Sequence, residues 1–129
     1  MKIQLEDGLP YTTISLTYRG RQISFDKVLI DTGSGGTIFA ADKVLAVDLR
    51  LEPDDVIHQI RGVGGTEFVF TKRVDILSLG ELQANDFEIE VGAMAYGFDL
   101  DGILGIDFLL QTKAVIDLAE MEIYHHPER

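Results

Sequence analysis

Asp31 stands in a setting that ordinary surface carboxylates do not share. It closes the apolar run Val28-Leu29-Ile30 and opens the turn sequence Asp31-Thr32-Gly33-Ser34. A run that is apolar at consecutive positions marks a strand buried on both faces. An acid at its end loses solvation, which disfavours the charged form unless nearby donors compensate. Gly33 allows backbone N–H groups to approach that carboxylate, and the Thr32 hydroxyl can bond to backbone and hold the turn. Together these features describe a positioned carboxylate suited to general acid or base work. The plainer reading is an aspartate that caps its own turn, a common use of Asp before Gly. Ser34 does not make a nucleophile elbow, because the G-x-S-x-G pattern needs Gly at position 32 and Thr stands there.

Two further glycine features lie downstream. Gly62-Val63-Gly64-Gly65 separates two strand-like stretches, Val56 to Ile60 and Phe68 to Val74, and so reads as the turn of a long hairpin. It is not a dinucleotide loop: the third glycine of G-x-G-x-x-G would fall on Glu67, and a strand follows where a helix is needed. The second feature is Ile103-Leu104-Gly105, followed by Ile106-Asp107-Phe108-Leu109-Leu110, with a short helix expected over Phe108 to Gln111 and Asp107 as its N-cap. Taken in order, Leu29-Ile30-Asp31-Thr32-Gly33, the glycine hairpin and Ile103-Leu104-Gly105 resemble the aspartic proteases, specifically their single-domain retropepsin-like branch.

The resemblance implies an all-β acid-protease barrel with one or two short helices and one lobe per chain, residues 1–129 forming that single domain. It implies Asp31, Thr32 and Gly33 as catalytic residues. Ser34, Gly62, Val63, Gly64 and Gly65 are implied on the substrate side, with Gly62 to Gly65 as a flap over an extended peptide or protein substrate. Ile103, Leu104 and Gly105 are implied as structural support beside the site. Only one Asp-Thr-Gly is present, and Asp101-Gly102 and Asp117-Leu118 lack its completion. The second carboxylate of a two-carboxylate mechanism must then be Asp31 of another copy, in a C₂ homodimer. By analogy with the family, the terminal strands around Ile3 and Leu5 and around Met121 to Tyr124 are expected at the interface. No metal, cofactor or covalent intermediate is required. The alternative is a non-catalytic peptide-binding or dimerisation module of the same fold.

Composition narrows the remaining classes. Lys plus Arg total 11 against 22 Asp plus Glu, a formal net charge of −11. Nucleic acid and anionic membrane surfaces gain their affinity from Lys and Arg, so both are disfavoured partners. With no Cys, disulfides, thiolate nucleophiles and Cys-ligated metal centres are excluded. His58, His125 and His126 lack a metal-ligand spacing, and Asp99 with Asp101 does not complete a calcium loop. No apolar stretch is long enough to cross a bilayer as a helix, and the charged start Met1-Lys2-Ile3-Gln4-Leu5-Glu6-Asp7 is not a secretory leader, so a cytoplasmic location is expected.

The elements that must position these residues are short strands with frequent turns. Alternation in Ile14-Ser15-Leu16-Thr17-Tyr18 and Ile23-Ser24-Phe25 around Arg19-Gly20-Arg21 predicts a hairpin. Ala40 to Val47 is expected as a short helix, Ile76 to Leu79 and Phe87 to Val91 as separate strands, and Asn85-Asp86 as a turn. Ala114 to Leu118 and Met121 to Tyr124 close the chain. Ile30 to Val47 and Phe87 to Gln111 echo one another, each running from an apolar strand through a glycine-containing turn into a short helix.

Overall fold

The computed structural model describes residues 1–62, 65–96 and 99–127. β1 (Gln4–Glu6) leads into a hairpin of β2 (Leu9–Tyr18) and β3 (Arg21–Ile30). Tyr18 pairs with Arg21 across a two-residue turn in which Arg19 and Gly20 both have positive φ, 48° and 81°. This is the mirror-image turn whose twist suits right-handed strands, and glycine at its second position avoids the steric cost. Ile14, Leu16 and Tyr18 face inward, as alternation predicts.

β3 runs without interruption from the hairpin into the apolar run, its register shifting against β2 between Thr12 and Ile14. Val28 and Ile30 then enter the main core, while Leu29 packs on a second cluster with Tyr11, Ile38, Val69 and Leu100. The run is therefore covered on both faces. Beyond it come β4 (Ile38–Ala40), α1 (Ala41–Val44) and a single 3₁₀ turn, Leu45–Val47, which together match the short helix expected over this stretch.

The middle of the chain is dominated by β5 (Ile57–Gly62), β6 (Gly65–Leu79) and β7 (Leu82–Gly92). Phe68 to Leu79 is one strand where the sequence suggested two, and Asn85-Asp86 lies inside β7 where a turn was expected. At Asp86 φ is 49°, and the pairing of β6 with β7 passes over this point without losing register. The inward-facing parity changes there in both strands, from Val74 and Phe87 on one side to Leu77 and Ala84 on the other. A polar residue tolerant of positive φ absorbs the change without ending the strand.

β8 (Gly102–Leu104), α2 (Ile106–Gln111), β9 (Ala114–Asp117) and β10 (Glu122–His125) complete the order. The large sheet runs β1-β2-β3-β8-β4-β7-β6-β5, and an added pairing of β2 with β6 closes β2-β3-β8-β4-β7-β6 into a circuit. Two parallel pairings are interlocked within it: β3 with β8, and β7 with β4. This is the structural form of the echo between Ile30–Val47 and Phe87–Gln111. Each half lends its short strand to the long strand of the other. β9 and β10 form a separate ribbon, on which the N-terminus closes within the same chain: Ile3 N donates to Met121 O and Ile123 N to Met1 O, both at 2.9 Å. Among the described residues, no helix is long and apolar enough to cross a membrane.

Candidate active site

Leu29-Ile30-Asp31 and Ile103-Leu104-Gly105, far apart in sequence, lie side by side. β3 and β8 pair in parallel with Leu29 opposite Ile103 and Ile30 opposite Leu104. Asp31 N donates to Leu104 O at 3.0 Å, extending the ladder by one bond past the last strand residue. The chain then turns: Ser34 N donates to Asp31 O at 3.1 Å, and Gly33 N donates to Asp31 Oδ1 at 3.0 Å. The backbone donor expected from Gly33 is therefore present, and a carboxylate accepting such a bond is fixed in direction. Asp31 is partly buried, while Thr32 and Gly33 are exposed at the tip of the loop.

Behind the tip, the two segments lock together. Ile106 N donates to Ser34 O at 2.8 Å. A Cβ on Gly105 would overlap Gly36 O and approach Ser34 O to 2.9 Å, so only glycine lets these backbones cross so closely. Ser34 behaves as a turn residue, its hydroxyl donating to Gly36 O at 2.7 Å.

Thr37 and Asp107 were not identified as site residues from sequence. Thr37 is fully buried; its hydroxyl accepts from Gly105 N at 3.0 Å and donates to Asp107 Oδ1 at 2.8 Å. Thr37 N adds a bond to Asp107 Oδ2 at 3.3 Å. The expected N-cap role of Asp107 is corrected: α2 begins at Ile106, two residues before the expected Phe108, Gly105 occupies the cap position, and no side chain caps it. The Asp107 carboxylate reaches across to the other segment instead. The only sequence signal was two polar residues, Thr37 and Asp107, each a short step beyond a glycine.

The glycine hairpin is formed as far as it is described. Gly62 pairs with Gly65, ending the β5–β6 ladder, while Val63 and Gly64 lie outside the described residues. Below the hairpin, Glu67 on β6 accepts hydrogen bonds from Tyr96 OH and from Met94 N, the latter at 3.3 Å. These bonds join the segment after β7 to the hairpin, and burial together with the Glu67 bond raises the Tyr96 phenol well above its ordinary value.

A cavity of about 450 Å³ opens between Gly35-Gly36 and β5, with Glu88 and Glu90 of β7 in its wall. Burial first, then the nearby Asp107 charge, raises the Glu90 carboxyl above the usual carboxylate range. The larger cavity, about 670 Å³, lies elsewhere, around Lys72, Glu52 and Asp55, away from Asp31. Among the described residues no cluster of His, Asp or Glu is arranged to hold a metal ion.

No curated protein matches the chain. Residues 14–108 match a family model described as aspartyl protease, a span that runs from β2 into α2 and contains both crossing segments and the glycine hairpin.

Proposed function

The chain belongs to a retropepsin-like aspartyl protease family, and on that premise we propose that it is an aspartic endopeptidase active as a homodimer, one lobe per chain, with Asp31 of each copy forming the catalytic pair. The observation that carries this reading is the Asp31 loop itself. Its carboxylate is oriented by Gly33 N, and its Thr32-Gly33 tip is exposed where a second copy can meet it. The chain supplies one such loop, so a symmetric pair requires two chains.

Two carboxylates held a few ångströms apart do not both ionise cheaply, so the pair shares one proton and titrates as a unit. The ionised member takes a proton from a water, whose oxygen attacks the scissile carbonyl carbon. The protonated member donates to the carbonyl oxygen. Collapse of the tetrahedral intermediate breaks the C–N bond, and a proton passes to the leaving amine. Thr32 braces the two loops across the axis, Gly33 N holds the carboxylate, and Ser34 with the hairpin residues Gly62, Val63, Gly64 and Gly65 faces an extended peptide, the hairpin closing to exclude water. Ile103, Leu104 and Gly105 support the loop from behind.

The test pairs sedimentation equilibrium with cleavage of a peptide library by wild type and Asp31→Asn. The reading expects a dimer and cleavage that Asp31→Asn abolishes. A dimer that binds peptide without cleaving it points instead to a binding module of the same fold.

A further inference from the structure

The cavity beside the Asp31 loop has a chemical character that the catalytic reading does not use. One wall is Gly35 and Gly36, the backbone that continues directly from Asp31-Thr32-Gly33-Ser34. The opposite wall is β5, with Ile60 two residues before the glycine tip of the hairpin. On the protease reading, the cavity therefore lies between the catalytic loop and the strand that leads into the glycine hairpin, beside an extended peptide.

Its ionisable side chains are Glu88, Glu90, Asp107 and His58. Asp107 is already occupied by Thr37 and by Phe108 N, which donates at 2.8 Å. Among the described residues, Glu90 has no side-chain hydrogen bond or ion pair, although it is half-buried. It sits against Gly36, where a Cβ would overlap Glu90 Oε1. The absence of a side chain at Gly36 is what admits the carboxylate to this position. Glu90 is thus a half-buried carboxylate beside two further acids, with His58 as the basic side chain that favours its charge and no Lys or Arg among the described residues lining the cavity.

We propose that this cavity is a specificity pocket for a Lys or Arg side chain of the peptide substrate, with Glu90 as its principal recognising group and Glu88 at its mouth. The proposal rests on the protease reading. A cation entering between the loop and β5 supplies the missing donors, and a volume of about 450 Å³ admits a long side chain. Its occupant is fixed by the same backbone that places Asp31, so the pocket sets the register of the scissile bond.

The experiment uses fluorescence-quenched decapeptides in which Lys, Arg, norleucine, Gln or Glu is rotated through each position. Cleavage is read with wild type, and binding by anisotropy with Asp31→Asn. At one position flanking the scissile bond, Lys or Arg should exceed norleucine in kcat/KM by roughly tenfold to a hundredfold, the range of a hydrogen bond to a charged group. Glu90→Gln, checked for an unchanged melting temperature, should collapse that ratio, and Glu90→Lys should shift it toward Glu peptides. Cleavage without any preference for a cation overturns the pocket and leaves the protease reading intact. Cation-dependent binding without cleavage keeps the pocket and overturns the protease reading. Absence of preference in both assays, or a preference that survives Glu90→Gln, overturns the proposal.

Discussion

The Thr37 hydroxyl donates to Asp107 Oδ1 at 2.8 Å, joining two segments separated by 70 residues immediately behind the Asp31 loop. Because the same hydroxyl accepts from Gly105 N at 3.0 Å, one buried side chain serves both the crossing point and the start of α2. A polar joint thus ties together the two segments that carry Asp31 and Gly105, and Thr37 is the member that sequence did not single out.

Thr37→Val keeps the shape of the side chain while removing both hydroxyl bonds. It leaves Gly105 N without its acceptor in a buried setting, a loss of about 1–3 kcal/mol. Urea unfolding should show a lower midpoint with an unchanged slope. An unaltered midpoint would mean that the joint does not hold the crossing.

Gly105→Ala should cost more than its single methyl suggests. The added carbon meets backbone at Gly36 and Ser34, which cannot rotate away as a side chain could. Overpacking of this kind costs about 1–3 kcal/mol, and the displaced loop should lose cleavage as well as stability. Full activity and stability in the variant would refute the close approach.

Asp31→Asn should reduce peptide cleavage by roughly 10²–10⁴-fold or to the limit of detection. The thermal midpoint should stay close to that of wild type, because Gly33 N can still donate to the amide oxygen. Residual cleavage at wild-type rate would assign the chemistry to another group.

In the homodimer reading, specific activity must fall on dilution. Below the dissociation constant of the dimer the active fraction drops with concentration, and sedimentation equilibrium should place that constant where activity falls to half. Activity per chain that is independent of concentration, in a protein that sediments as a monomer, would rule out a shared site.

Acid stability should report on a second network. Arg19 first, then Lys72, lowers the Glu52 carboxyl from 4.5 to about 2, and Lys72 likewise lowers Asp55, whose Oδ2 lies 2.8 Å from it. A carboxylate depressed in the folded state stabilises the protein above its unfolded value, and that contribution is lost as pH falls through the folded value. The thermal midpoint should therefore decline between pH 4.5 and about 2, and Glu52→Gln should flatten that decline. The network pins the stretch from Glu52 to Asp55 onto β6, since Glu52 N also donates to Asp55 Oδ2 at 2.7 Å. A decline of equal steepness in Glu52→Gln would remove Glu52 from it.

Much of the fold was legible because it is written in local chemistry. Alternation located β2, β3 and β7, and Arg19-Gly20 marked a turn whose positive φ values favour glycine. The consecutive apolar residues Val28-Leu29-Ile30 announced burial on both faces, and the order of Asp31-Thr32-Gly33, the glycine hairpin and Ile103-Leu104-Gly105 pointed to the family. Asn85-Asp86 misled because a polar residue at positive φ serves a turn and a parity change inside a strand equally well. Asp107 misled because an acid before a helix is usually a cap, and only the position of Thr37 turns it elsewhere. What the sequence determined by itself was the β character of the chain, most of its longer strand stretches and the place of the acid at the end of an apolar run, since these follow from neighbours along the chain. The tertiary structure alone decided which strands lie in parallel, that Thr37, Gly105 and Asp107 form one joint, and that Glu90 faces the cavity beside the Asp31 loop. These relationships depend on backbone crossings between residues many tens of positions apart, and periodicity carries no record of such distances.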